Sequence, residues 1–371
     1  MERDKFFGFK RLVIKIGSAL LINKDGTFNK IWLKSIADEI NSLLESGVEI
    51  LVVSSGAVAI GCGIIDRKRA QMSLNELQAI AAMGQAQLVI EWQEALKKND
   101  VKVAQILLTP DDTENRKRFL NSKNTLQALL KLDVVPIINE NDTVATDELS
   151  YGDNDRLAAR VAQMVMADGL ILLSDVDGLY ETDPALTTEA KHIASIDSVT
   201  DEILEMAGSR ESNYGSGGML TKLHAAKIAM HAGCTTIISN GTKNKPISNI
   251  LDGGKCSIFE AMQSPHVIRK QWLLGFLDTR GTLIIDKGAK VALSQGGSLL
   301  PVGLTNVRGN FERGDVVILK NEQDREIGKG ITTYSSIEAS LIIGCRSQAI
   351  LEKLGYQGKP EIVHRDDMVL F

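Results

Sequence analysis

Cysteine is scarce, and none of the four copies is placed for paired chemistry. Cys62, Cys234, Cys256 and Cys345 lie far apart, with no C-x-x-C pair and no histidine at metal-ligand spacing. That excludes a zinc knuckle or a disulfide framework and reads as free thiols in a reducing compartment. Long apolar runs are missing as well, because no stretch approaches the roughly 18 residues that would span a bilayer. Residues 1–10 mix charges with phenylalanines instead of building the apolar segment of a secretion signal. A soluble, cytoplasmic protein with no membrane partner is expected. Neither sign of charge is in large excess: a formal net charge of −5 over 371 residues sets up no field that would draw the chain onto nucleic acid. Internal repeats and low-complexity tracts are absent, which removes solenoid architectures. Neither G-x-G-x-x-G nor G-x-x-x-x-G-K-[ST] occurs, which argues against an ordinary Rossmann dehydrogenase and a Walker-type NTPase.

What is present suits two water-soluble domains. The apolar share is 44%, and 371 residues exceed what one ordinary core organises. From about residue 10 to 260, short β-branched runs alternate with stretches of helical period, the mark of a parallel sheet sandwiched by helices in an α/β fold. Strands are expected at Arg11–Ile16, Val48–Ser54, Val101–Leu107, Val134–Asn139, Gly169–Ser174 and Cys234–Ser239. These runs are apolar almost throughout, as strands buried on both faces are. Helices are expected over Leu74–Lys97 and Asp155–Met166, the latter with Leu157, Val161, Met164 and Val165 in one stripe. The rhythm changes around residues 260–280. Glycine-bounded pieces at Thr282–Ile285, Lys290–Leu293, Asp315–Leu319 and Glu326–Thr332 then read as strands of a small β-rich barrel. The expected domains are 1–262 and 280–360.

Several motifs fall where such a sheet would present them to a ligand. Lys15 lies inside an apolar strand just before Gly17-Ser18. A buried ammonium is costly unless it meets an anion, so Lys15 reads either as a phosphate contact or as an edge-strand lysine reaching water. Val53-Ser54-Ser55-Gly56-Ala57 offers hydroxyls and small residues at the same edge, or an ordinary turn. Asn139-Glu140-Asn141-Asp142 and Gly152-Asp153-Asn154-Asp155 bring carboxylates and amides into one loop system. Helix capping by Asp153 or Asn154 accounts for part of this, and a polar site for a charged small molecule for the rest. Ser174-Asp175-Val176-Asp177-Gly178 leaves a buried strand with polar groups that suit a nucleotide or a plain Asp-Gly turn. Gly215-Ser216-Gly217-Gly218-Met219-Leu220-Thr221-Lys222 opens a helix continuing through His231, and a glycine-rich helix start is a ready anion site. A lysine in that first turn opposes the helix dipole by about 0.3–1 kcal/mol, a penalty that a phosphate would reverse.

In this order the motifs resemble those of the amino acid kinase family, over residues 11–260, and the pattern within it is that of the branch acting on free glutamate. The C-terminal segment, with Gly281–Lys290 and Gly309-Asn310-Phe311, is similar to a PUA domain. The resemblance implies the amino acid kinase fold, ATP as phosphoryl donor, Mg²⁺ with the nucleotide, and L-glutamate as acceptor. It implies that Lys15 and Lys222 contact the transferring phosphoryl group and that Asp155 orients them. ATP would be held by Lys15, Ser174, Asp175, Ser216, Gly217, Gly218, Met219, Leu220, Thr221 and Lys222. Glutamate would be held by Ser55, Asp142 and Asn154, with Asp142 as counter-charge to the α-ammonium group. Proline as a feedback inhibitor, a homo-oligomeric state and a glutamyl phosphate reductase partner follow from the same resemblance, which assigns no metal ligand to the protein. The chemistry agrees with what is missing: a glutamate carboxylate, with an ordinary pKa near 4.3, is ionised at neutral pH and needs no general base. Rival readings are an acetylglutamate, aspartate or uridylate kinase of the same family, against which the appended PUA-like segment argues. An RNA-binding protein is a further rival, but residues 281–371 carry 11 Lys+Arg against 11 Asp+Glu, without the basic footprint of a phosphate-backbone binder.

Overall fold

The apolar runs become strands close to their expected limits: β1 (Arg11–Ile16), β2 (Glu49–Ser54), β3 (Lys102–Leu108), β4 (Val134–Glu140), β5 (Gly169–Ser174) and, after three short strands, β9 (Thr235–Asn240). The short strands are β6 (Leu179–Tyr180), β7 (His192–Ile193) and β8 (Ser195–Ile196), and β10 (Cys256–Phe259) follows β9. The computed structural model describes residues 8–23, 26–144, 154–184, 186–187, 189–207, 218–268 and 279–371. The chain divides into two units, Met1–Pro265 and His266–Phe371.

The first unit is built on an eight-stranded sheet in the order β3-β4-β2-β1-β5-β9-β10-β8. β1 pairs in parallel with both β2 and β5, so it is a central strand. The sheet departs from all-parallel only where β10 runs antiparallel to β9. Side chains of β1 alternate between faces. Leu12, Ile14 and Ile16 pack with Trp32, Ile36, Ile40, Leu88 and Trp92, whereas Val13 packs with Leu157, Val161, Leu223 and Ala226. Two helix layers therefore cover the sheet: Lys30–Glu45 and Leu74–Lys97 on one face, Asn154–Val165 and Met219–His231 on the other. The period of two puts Lys15 on the face of Val13, beneath the second layer.

Local chemistry sets the ends of these helices. Ser73 and Glu76 form a capping box at the start of Leu74–Lys97, satisfying backbone N–H groups that the helix leaves without partners. That helix crosses the helix Ala57–Ile65 at glycines, since a Cβ on Gly84 would lie 1.8 Å from the Ala57 carbonyl oxygen. The close crossing fixes the start of Ala57–Ile65, where Gly56 adopts φ 111°, a conformation that a side chain disfavours.

The second unit holds a five-stranded sheet in the order β12-β11-β13-β14-β15, made of β11 (Gly281–Ile285), β12 (Leu304–Gly309), β13 (Val316–Asn321), β14 (Glu326–Thr332) and β15 (Val363–Leu370). Only β11 with β13 is a parallel pair. Lys290–Leu293, expected as a strand, lies instead inside the helix Lys287–Ser294. Four residues cannot separate a period of two from one of 3.6. Asp286 decides the matter by accepting a 2.6 Å hydrogen bond from the Ala289 amide, an N-cap that starts the helix. Phe311, Leu283, Leu319, Tyr334 and Val363 fill the core of this unit.

Candidate active site

The parallel strands deliver their carboxyl ends to one edge. Ile16 stands opposite Ser54 and Leu173, and Ser174 opposite Asn240. In open α/β sheets such an edge is where ligands bind.

Lys15 is only 5% exposed although it carries a charge, and its central position rules out an edge lysine reaching water. Its Nζ lies 2.5 Å from Oδ1 of Asp155, which is fully buried in the first turn of Asn154–Val165. The Lys222 Nζ lies 3.0 Å from Oδ2 of the same carboxylate, reaching it from the first turn of the neighbouring helix Met219–His231. Burial alone would raise the Asp155 pKa, but the two ammonium groups outweigh it and hold the carboxyl far below the usual range. Lys222 was expected to strain its own helix through the dipole; Asp155 offsets that charge from the adjacent helix. Two lysines and one aspartate leave this trio with a formal surplus of positive charge, which suits an anionic phosphoryl group.

Beside the trio is an amide network. Asn154 donates both protons of its Nδ2, to Ser55 Oγ at 2.8 Å and to Asn139 Oδ1 at 2.7 Å, while the Glu140 amide also donates to Asn139 Oδ1 at 2.9 Å. The strand ends next to Ser55 and Asn139 are tied to the helix Leu74–Lys97, because Trp92 Nε1 donates to Ser54 Oγ at 3.0 Å and Gln85 Nε2 to the Glu140 carbonyl at 3.3 Å. Asp142 sits just past β4, and burial pushes its carboxyl up against the opposing charge of Arg69. A partly desolvated carboxylate gains from meeting a ligand ammonium group.

The nucleotide candidates divide. Ser174 is buried at the end of β5, next to the strand of Lys15, and Asp175 is exposed just beyond it. Asn240 Nδ2 donates to the Asp175 carbonyl at 3.0 Å. Gly218, Met219, Leu220, Thr221 and Lys222 form the start of their helix, where Thr221 Oγ1 donates to the Gly218 carbonyl at 2.7 Å. Ser216, Gly217 and Asp153 lie outside the described residues. The structure thus gathers Lys15, Asp155, Lys222 and Thr221 in one group and Ser55 and Asn154 in a second. Asn139 was flagged only within the Asn139-Glu140-Asn141-Asp142 motif, without a role of its own; the structure makes it the partner of Asn154. Among the described residues no group of three or more His, Cys, Asp or Glu converges as a metal cage.

The amino acid kinase family model matches residues 10–240, more than half of the chain. The chain belongs to the amino acid kinase family. A PUA domain model matches residues 281–354. The chain is 49% identical over 365 residues to a glutamate 5-kinase of Paramagnetospirillum magneticum, covering 97% of this chain and 98% of that one. It is 48% identical to a glutamate 5-kinase of Rhizobium rhizogenes (98% and 93% covered) and 47% identical to one of Nitrobacter winogradskyi (100% and 98% covered). Among solved structures, a UMP kinase from Ureaplasma parvum aligns over 68% of this chain and 98% of its own, with TM-score 0.49 and 19% identity. The fold is the amino acid kinase α/β sandwich with a C-terminal PUA domain, and the family's use of ATP brings in a divalent metal. No described helix is long and apolar enough to cross a membrane.

Proposed function

We propose that the chain is a glutamate 5-kinase, transferring the γ-phosphoryl group of ATP to the side-chain carboxylate of L-glutamate in the first step of proline synthesis. The observation that carries this reading is identity of 47–49% over nearly the whole length to proteins of that activity. In this reading a glutamate carboxylate oxygen attacks the γ-phosphorus, the bond to the ADP oxygen breaks, and L-glutamyl 5-phosphate and ADP leave. No proton moves at the attacking oxygen. Lys15 and Lys222 offset the charge on the transferring group, and Asp155 holds the two ammonium groups apart and aimed. Mg²⁺, held by the nucleotide phosphates, would screen their charge. Ser174, Asp175 and the helix start Gly218–Lys222 hold ATP, with Ser216 and Gly217 completing that segment. Asp142 takes the α-ammonium of glutamate, and Asn154 and Ser55, oriented through Asn139, flank it.

Proline shares the amino acid backbone of glutamate but lacks the reacting carboxylate, which supports competition at the same site. The wide spacing of the four cysteines, with no C-x-x-C pair, supports a cytoplasmic setting. The family resemblance supports a homo-oligomer and a reductase that takes up the unstable acyl phosphate. The deciding experiment follows ADP release with glutamate, N-acetylglutamate and UMP, adding hydroxylamine to trap glutamyl phosphate. Turnover with N-acetylglutamate or UMP, but not with glutamate, would overturn the assignment.

A further inference from the structure

The loop that follows β5 is braced by side chains that phosphoryl transfer itself does not use. Gly178 adopts φ 145°, and a Cβ there would lie 2.5 Å from both His192 Nε2 and Ser257 Oγ, so the loop backbone rests directly on β7 and β10. Ser257 Oγ accepts from the Leu179 amide at 2.7 Å and donates to the Ile193 carbonyl at 2.5 Å. With that hydroxyl proton committed, the 3.3 Å contact from His192 Nε2 to the same oxygen makes His192 the donor. Burial, and then the Lys255 ammonium, lower the pKa of the His192 imidazole. Above this footing, Tyr180 stands edge-on to His192 with ring centroids 5.2 Å apart. The Tyr180 hydroxyl donates to the Asp177 carboxylate at 2.9 Å and accepts from Lys255 Nζ at 3.2 Å, while Lys255 lies 3.9 Å from Asp177 Oδ2.

We infer that the Tyr180–Lys255–Asp177 clamp, footed on His192 and Ser257, is a positioning device that presets the loop 174–178 for the nucleotide. The inference rests on the reading above, in which Ser174 and Asp175 hold ATP. Two physical effects give the clamp a function. Asp175 and Asp177 are both carboxylates, and an uncompensated Asp177 would repel a triphosphate; the Lys255 ammonium beside it offsets that charge. A loop containing glycine also loses entropy when a ligand orders it, and a clamp formed beforehand lowers that cost. Tyr180, Lys255 and His192 act through the loop and touch no reacting atom.

The test uses the full chain, titrated with a non-hydrolysable ATP analogue and assayed in steady state. Tyr180→Phe removes the bridging hydroxyl and Lys255→Met the exposed ammonium; neither empties a core position. Each is expected to raise the analogue Kd and the KM for ATP roughly three- to tenfold. The kcat at saturating ATP and the KM for glutamate should stay near wild type, and Lys255→Arg should restore most of the affinity. An unchanged Kd in both variants, with or without a lower Tm, would reduce the clamp to a surface brace. Asp175→Ala separates the two layers of argument. If it weakens the analogue while the clamp variants do not, the clamp inference falls alone; if none of the three weakens it, the nucleotide is held elsewhere and both readings fall.

Discussion

Two carboxylates, one in each unit, are held well below their ordinary pKa by cations, and they serve different ends. Glu338 is the third residue of the helix Ser336–Leu341, where it closes a capping box with Ser335. It also accepts from Arg313 Nε at 3.0 Å and from the Tyr356 hydroxyl at 2.9 Å, and the Arg313 guanidinium lies 5.2 Å from the centre of the Tyr356 ring. Burial would raise this carboxyl, yet Arg313, the Ser335 backbone and Tyr356 bring it to about 2. Its partners tie a loop, a helix start and a distant turn together near the surface. Asp155 is fully buried and is shared by two lysines from separate elements, at the edge where the parallel strands end. A depressed carboxyl therefore does not mark a reactive site by itself; the kind of partner and the place in the sheet do.

Breaking the Asp155 side of this comparison should cost rate. Lys222→Met keeps the aliphatic stem and removes one cation, so kcat should fall by roughly 10²–10³, the usual scale for one preorganised donor to a charged transition state. Asp155 and Lys15 then remain as a one-to-one pair, and the apo Tm should move by only a few degrees. Steady-state kinetics beside a thermal melt checks both halves, and near wild-type kcat would place Lys222 with the structural ion pairs. Asp142→Asn is the next largest change. It removes a charge-assisted contact of about 1.5–3 kcal/mol, which should raise the KM for glutamate about ten- to a hundredfold while the KM for ATP holds. An unaltered glutamate KM would take Asp142 out of the site.

Breaking the Glu338 side should cost stability only. A carboxyl whose folded pKa is depressed contributes stability above its unfolded value, here 4.5, and loses it as pH falls through the folded value of about 2. Glu338→Gln should therefore lower the Tm at pH 7 and flatten its decline between those two pH values, with kcat unchanged. An acid Tm profile parallel to wild type would show that the brace contributes little. The smallest expected effect is that of deleting the second unit, His266–Phe371, from the kinase reaction. Every group assigned to ATP or glutamate precedes Pro265, so a folded truncation ending there should retain measurable activity in the hydroxylamine assay. Its complete loss would show that the second unit contributes to the site.

Much of the first unit was legible because its strands are buried on both faces. Runs such as Val13-Ile14 and Leu170-Ile171-Leu172 stand out as continuous apolar segments, and their limits came within a residue or so. The second unit was harder to read. Its strands are partly solvated, and Lys290–Leu293 took the helical period once Asp286 supplied a cap. In the site, residue types flagged Lys15, Asp155 and Lys222, but a strand lysine has the same letter whether it faces water or a carboxylate. Asn139 was flagged with its motif, but its contact with Asn154, 15 positions away, is set by packing and not by local pattern.

Sequence by itself determined the buried strands of the first unit and the kinds of group that reach the carboxyl edge, because these follow from local periodicity and residue chemistry. Only the tertiary structure decided which groups meet. Lys15, Asp155 and Lys222 are separated by as many as 207 positions, and their contact depends on which face of β1 the helices Asn154–Val165 and Met219–His231 cover. The same holds for the clamp on Asp177, whose tyrosine lies in β6 and whose lysine immediately precedes β10, 75 positions away in the chain. Periodicity acts over a few residues, whereas ion pairing requires atoms within a few ångströms, and packing of the two helix layers converts the first into the second.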